Sequence, residues 1–353
     1  MIFYFTLLIF ILISSLFVTY GKDKYFVFIN KFITFNLLFI PAALRYRVGC
    51  DYDEYTIIFN EYISHGFYRG FEAGFSALNR IIYLCGLDVQ WLFVITAFLT
   101  LFFIFFKLEK KDWIVYAPIT MMIVNTWMYT EIRQILAMVM LFSAVRYWEK
   151  EKKKTSIIIF ILSFFFHKSV VLYLPILLII FLFSKFQRKK ILILFFIYMI
   201  SCVLLNNVLS KILLNIIGLT PYGKAYLYLA QAGGNDAKWL GATAVNSGLG
   251  RIVRYFIYSI IMIFYPKDAR KKNYLLFFVF CCINFSSAMI QIVNRIQRTI
   301  LFTYFYSGKD YYYSKRNRVF CRLLIFICCL LLFFMDLYGG YNGGLHYKTI
   351  FSR

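Results

Sequence analysis

The sequence predicts an all-α fold: a polytopic transmembrane helical bundle of about twelve spans, forming one integral membrane domain over residues 1–353. Three observations predict it. Of the 353 residues, 62% are hydrophobic, 22% aromatic and only 16% charged, whereas a soluble domain carries about 45–50% apolar and about 25% charged residues. Long apolar stretches recur along the whole length. Basic residues collect in alternate short connections, the pattern by which membrane proteins fix their orientation.

The apolar stretches fall at 2–20, 25–44, 89–106, 113–129, 132–148, 155–166, 169–184, 191–206, 252–265, 274–292, 296–307 and 319–337. Residues 2–20 read as the first span. No basic residue precedes them and no small-residue cleavage site follows, so the signal-peptide pattern is missing. The stretches 155–166 and 296–307 fall well short of the roughly 20 residues of a perpendicular span. Most Lys and Arg lie in Gly21–Lys24, Lys107–Asp112, Arg146–Lys154, Lys185–Lys190, Pro266–Asn273 and Gly308–Arg318. These connections are assigned to the cytoplasm, which puts both termini on the outside.

Two outside segments are long. In 45–88, Tyr52, Tyr55, Ile58, Phe59, Tyr62 and Ile63 follow helical spacing, with Asp53, Glu54, Asn60 and Glu61 on the other face. Phe71, Phe75, Leu78 and Ile82 repeat the pattern. Two short amphipathic helices at the outer membrane surface are expected. The second segment, 207–250, is glycine-rich and reads as a loop with a short helix around Lys224–Ala232.

The formal charge of +23 would suggest nucleic acid in a soluble protein, but no basic, aromatic-interleaved soluble domain exists to bind it. Of the eight cysteines, Cys202, Cys281, Cys282, Cys321, Cys328 and Cys329 lie in or beside apolar spans, as small hydrophobes. None makes a metal-ligand spacing with the three histidines, so neither metal nor cofactor is expected. Cys50 and Cys85 bracket the two amphipathic helices outside. They either form a disulfide, or Cys85 is a buried free thiol.

The carboxylates Asp51, Asp53, Glu54, Glu61, Glu72 and Asp88 all sit in the first outer segment. Asp53, Glu54 and Glu61 read as a solvated helix face. Asp51, at the mouth of a span, and Glu72, in a glycine-rich turn, read as site candidates. Arg45, Arg47, Arg133, Arg251, Arg254, Arg295 and Arg298 lie at outer helix ends, against the orientation rule. Each alone could snorkel to headgroups. Together they suggest a shared anion, because a guanidinium fork suits phosphate. Glu131-Ile132-Arg133-Gln134 opens a span directly after an outer turn, and His167-Lys168-Ser169 puts a histidine at the outer boundary. That histidine is either a helix-end hydrogen-bond partner or a catalyst.

Four motifs then stand in order: Arg45-x-Arg47-Val-Gly-Cys-Asp51-Tyr-x-x-Tyr55; Glu72-x-Gly74-Phe75 with Leu78-Asn79; Ile132-Arg133-Gln134-x-Leu136-Ala137; and Phe166-His167-Lys168-Ser169. This pattern resembles the EpsG-like family of bacterial polysaccharide polymerases, which includes many O-antigen (Wzy) polymerases. It covers residues 40–185, and beyond them rests on the second outer loop and Arg295. Cys50 departs from the family, which more often has a hydroxyl residue or glycine there. The resemblance implies glycosyl transfer at the periplasmic face of the inner membrane. A repeat unit would leave undecaprenyl pyrophosphate and join another lipid-linked unit. It implies Arg45, Arg47, Arg133, Gln134, Arg295 and Arg298 as pyrophosphate or substrate ligands, and His167, Glu72 or Asp51 as base, in that order. Expected partners are undecaprenyl-pyrophosphate-linked oligosaccharides, membrane lipids and a chain-length regulator protein, with no nucleic acid. The rival readings are a lipid-linked oligosaccharide flippase, an O-antigen ligase and a membrane O-acyltransferase. A flippase would carry charges at mid-membrane depth and related halves, whereas here the charges gather at one face.

Overall fold

The computed structural model describes residues 2–63, 71–205, 208, 212, 215, 219, 249–287, 293–338 and 347–352. The second outer loop, with its expected helix around Lys224–Ala232, lies almost wholly outside them, as do the side chains of Tyr62, Ile63, Arg251 and Arg295. The described chain is helical, with one isolated β-bridge between Arg45 and Thr349. It divides into two compact units. The first holds residues 1–171, 304–313 and 322–353, and the second 172–303 and 314–321.

In the first unit, α1 (Ile2–Tyr20) and α2 (Lys24–Ala43) form a hairpin. Asp23 caps α2, its carboxylate accepting from the Phe26 N–H. The outer segment follows: α3 (Tyr52–Ile57) runs into a π-helical turn, Ile58–Ile63, and α4 is Ala73–Leu84. Asp88 caps α5 (Val89–Phe105). The next leg is α6 (Trp113–Ile119), a π-helical turn Thr120–Val124, and α7 (Asn125–Met128). The chain bends by 115° between Val89–Phe105 and Lys110–Met128. Then come α8 (Ile132–Glu149) and α9 (Lys153–Phe166). The second unit contains α10 (Tyr173–Phe183), α11 (Arg188–Leu204), α12 (Leu249–Ile263), α13 (Lys271–Ser287) and α14 (Val293–Thr299). Aromatic contacts knit it, such as Phe183 with Phe278 at 5.7 Å and Tyr255 with Phe285 at 4.5 Å between ring centroids. The chain returns to the first unit through α15 (Thr303–Tyr313) and α16 (Arg318–Tyr338).

Among the described residues, α1, α2 and α16 are each long and apolar enough to cross a membrane. One expected span is divided. The stretch 296–307 breaks at Ile300–Phe302, where Ile300, Leu301 and Thr303 each bond three residues back rather than four. The expected 169–184 span likewise begins as a 3₁₀ turn, Lys168–Leu172, before α10.

Contacts within the first unit sort its connections to two ends. At one end the Lys110 ammonium reaches the Gly21 carbonyl, Arg146 reaches the Ile104 carbonyl at 2.9 Å, and Lys309 pairs with Asp112 at 2.7 Å. At the other end Tyr46 N–H bonds the Lys348 carbonyl at 2.9 Å, Gly49 sits on the Tyr129 carbonyl, and Glu72 meets Arg133. Within the first unit, the connections at 21–24, 107–112 and 146–154 and Lys309 share the end opposite the 45–88 segment.

Both expected amphipathic helices form. Tyr52, Tyr55, Ile58 and Phe59 are buried, and Asp53, Glu54, Asn60 and Glu61 are exposed. Their apolar faces do not merely rest on a surface. With Phe75, Ile82, Leu92, Phe93 and Ile132 they form one core cluster over the helix ends. Gly74 makes the close approach possible: a Cβ there would lie 2.9 Å from the Phe165 carbonyl oxygen. Cys50 and Cys85 are both exposed and no disulfide joins them, so neither the disulfide nor the buried thiol is present. The aromatic cluster closes this segment instead.

Candidate functional site

Glu72 stands at the entry to α4 with extended backbone, and its side chain caps nothing in its own helix. It turns instead to two other elements. One carboxylate oxygen accepts from Arg133 Nη1 at 2.9 Å, and the other accepts from the Lys168 backbone N–H at 3.2 Å. The pair is largely buried, with side-chain exposures of 12% for Glu72 and 23% for Arg133. The Arg133 guanidinium lies 4.5 Å from the Phe71 ring and 5.7 Å from the Phe75 ring, and it hydrogen-bonds the Tyr55 hydroxyl. Its Nε is buried without a hydrogen-bond partner. Two neighbouring rings beside it, themselves in edge contact, and a carboxylate ahead fix this cation in place while one donor stays unspent.

His167 follows α9 in extended backbone. Its Nδ1 lies 2.8 Å from the Ser169 hydroxyl and 3.2 Å from the Ser169 N–H. Gln134, buried on α8, directs its amide to the same hydroxyl at 3.4 Å. Two proton arrangements fit. With the ring proton on Nδ1, the Ser169 oxygen accepts it and Nε2 keeps a lone pair. With the proton on Nε2, the Ser169 N–H donates to Nδ1. Through Lys168, one residue away, this group adjoins Glu72. The structure thus joins Glu72, Arg133, Gln134 and His167 from α4, α8 and the α9–α10 turn.

Arg45 and Arg47 part company. Arg45, just beyond α2, is 1% exposed. Its Nη1 donates to the Ala42 carbonyl at 2.7 Å, and its guanidinium lies 4.3 Å from the Phe93 ring and 5.6 Å from the Tyr129 ring. Nε and Nη2 are buried without partners. Burial lowers its pKa to about 10, opposed by the surrounding tyrosines, Tyr129 and Tyr52 first. The carboxyl-terminal segment lies over this place: Tyr347 donates to the Pro41 carbonyl at 3.0 Å and stacks on Phe3 at 4.2 Å. Arg47 points outward, in left-handed backbone at φ 50°, and its Nε lies 3.3 Å from Asp53, both about two-thirds exposed. Asp53, read from the sequence as part of a solvated face, is therefore the arginine's partner; Asp51 opens α3 without capping it through its side chain. Two residues after Arg47, Gly49 takes φ 100°, and a Cβ would fall 2.0 Å from the Tyr129 carbonyl oxygen.

Arg298 is buried on α14 in the second unit. The Arg295 side chain lies outside the described residues. Sequence reasoning gave no role to Ser169, Tyr129 or Tyr347, and Tyr55 appeared only as a motif residue and an apolar helix position. The position of Ser169, two residues past His167, was the available signal for it. Nothing local signals Tyr129 or Tyr347, because their contacts come from remote segments.

A protein-family model described as the EpsG family matches residues 28–349. Neither a curated protein nor a solved structure matches the chain.

Proposed function

This chain belongs to the EpsG family, and from that premise we propose that it is a surface-polysaccharide polymerase of the O-antigen type. It moves an oligosaccharide repeat unit from undecaprenyl pyrophosphate to the end sugar of another lipid-linked unit, at the periplasmic face of the inner membrane. The observation that carries this reading is the convergence of Glu72, Arg133 and the His167–Ser169 turn at one end of the first unit.

In this proposal the acceptor hydroxyl attacks the anomeric carbon, the bond from that carbon to the pyrophosphate oxygen breaks, and the diphosphate leaves with the electron pair. Arg133 stabilises the charge that develops on it, using donors that Glu72 does not occupy. Glu72 holds the guanidinium by accepting from it and from Lys168 N–H, which makes it a positioning residue. His167 takes the acceptor's proton at Nε2, in the tautomer whose Nδ1–H is held by Ser169, with the Gln134 amide aligning that hydroxyl. The exposed Arg47 meets diphosphate at the entrance. Arg45 is too deeply covered for that contact and adds positive charge beneath this end of the helices. Asp51 serves the acceptor sugar. Arg295 and Arg298 are retained as diphosphate candidates from their charge in the sequence, not from a place in the group around Arg133. Deletion of the gene tests the reading: long chains disappear while lipopolysaccharide bearing a single repeat remains. Loss of every repeat would point instead to a flippase or ligase.

A further inference from the structure

At the lysine-rich end of the first unit, away from Glu72 and Arg133, α1, α6, α15 and α16 enclose an apolar cavity of about 250 Å³. Leu12, Val115, Met122, Phe326 and Cys329 line it. Leu323, 55% exposed, marks where it meets the membrane. Arg322 stands at its rim, in the second turn of α16. The guanidinium stacks on Tyr312 at 4.2 Å, and Nε donates to the Tyr312 carbonyl at 3.0 Å.

The charge at this rim is uncompensated. Lys309 pairs with Asp112 and Lys111 with Glu109, but Arg322 makes no ion pair among the described residues. Ring and carbonyl fix the plane of its guanidinium, and the Nη donors remain for a ligand. A cation one turn into an apolar helix needs an anion that can stay at the interface. A planar fork suits two phosphate oxygens. The cavity behind it suits an acyl chain.

We propose that this cavity binds an anionic glycerophospholipid of the bilayer, with its phosphate on Arg322 and one acyl chain among Leu12, Val115, Met122 and Phe326. A zwitterionic lipid fits less well, because its own ammonium already neutralises the phosphate. The polyprenyl carrier is excluded on position, since its diphosphate is assigned to the other end of these helices. The site is independent of the proposed catalysis.

Native mass spectrometry of the purified full chain tests it, with phosphatidylglycerol, phosphatidylcholine and undecaprenyl phosphate as probes. Phosphatidylglycerol should be retained about tenfold more tightly than phosphatidylcholine. Arg322→Gln should erase that preference. Leu12→Trp, which fills the cavity and leaves the charge, should weaken binding of phosphatidylglycerol by a similar factor. Arg322→Lys keeps a point charge and should retain part of the preference, so a folding failure of the glutamine variant leaves the test intact. Equal retention of the two phospholipids overturns the proposal, as does unchanged binding to Leu12→Trp. Displacement of phosphatidylglycerol by equimolar undecaprenyl phosphate would overturn it too.

Discussion

Glu72→Gln isolates the charge of the Glu72–Arg133 pair while keeping the shape of the side chain. The native contact is 2.9 Å long and mostly shielded from water, so it counts as a charge-assisted hydrogen bond of about 1.5–3 kcal/mol, against about 0.5–1.5 kcal/mol for its neutral replacement. The difference, about 1–2 kcal/mol, loosens the guanidinium and should slow chain elongation about 5–30-fold. The glutamine has a single acceptor oxygen: turned to Arg133 it gives up the Lys168 N–H bond at 3.2 Å, and in the Arg133→Gln background that oxygen can take the bond back. Arg133→Gln removes the anion ligand itself and should cost at least about 100-fold. If Glu72 acts through Arg133, its substitution has little left to disturb once Arg133 is gone. The double variant should therefore match Arg133→Gln, a coupling of about 1–2 kcal/mol. The assay is the initial elongation rate of lipid-linked repeat units in proteoliposomes, normalised to folded protein. Should Glu72→Gln slow both backgrounds by the same factor, the positioning role is refuted and Glu72 becomes a candidate for direct chemistry.

His167→Gln should lower the elongation rate by at least about 100-fold with binding of the lipid-linked donor intact. Ser169→Ala should lower it about tenfold and shift the pH profile, and Ser169→Thr should restore it; an unchanged pH profile for Ser169→Ala would remove the proposed tautomer. Arg45→Met deletes a buried cation with two unpaired donors, relieving a burial penalty of several kcal/mol against the loss of one hydrogen bond to the Ala42 carbonyl. Its melting temperature should hold or rise while elongation fails, and a variant that melts lower yet elongates normally would make Arg45 purely structural. Burial pushes the Tyr55 hydroxyl up to about 12, above its ordinary value of about 10. The folded state thus holds a proton that the unfolded chain releases first, so stability is intact below about pH 10 and declines as pH rises toward 12. Tyr55→Phe should flatten that alkaline limb, read as proteolytic protection of the outer segment.

The sequence by itself determined which segments are helical and apolar, which connections of the first unit share an end, and which faces of the outer helices are buried. It also determined the motif order that marks the family. These are local quantities: each residue's transfer free energy and the helical period act position by position. The divided stretch at Ile300–Phe302 escaped it, because an apolar run continues across the turn and hydropathy does not see backbone hydrogen bonds. Only the tertiary structure decided that Glu72 clamps Arg133 across 61 positions, that Asp53 pairs with Arg47, and that Arg45 is buried beneath Phe93 and Tyr129. It alone returned Tyr347–Ile350 to the end of α2. In lipid, apolar helices gain little by choosing one apolar neighbour over another, so packing shape and a few polar contacts select the arrangement. Those contacts join residues far apart in the chain, and no local pattern records them.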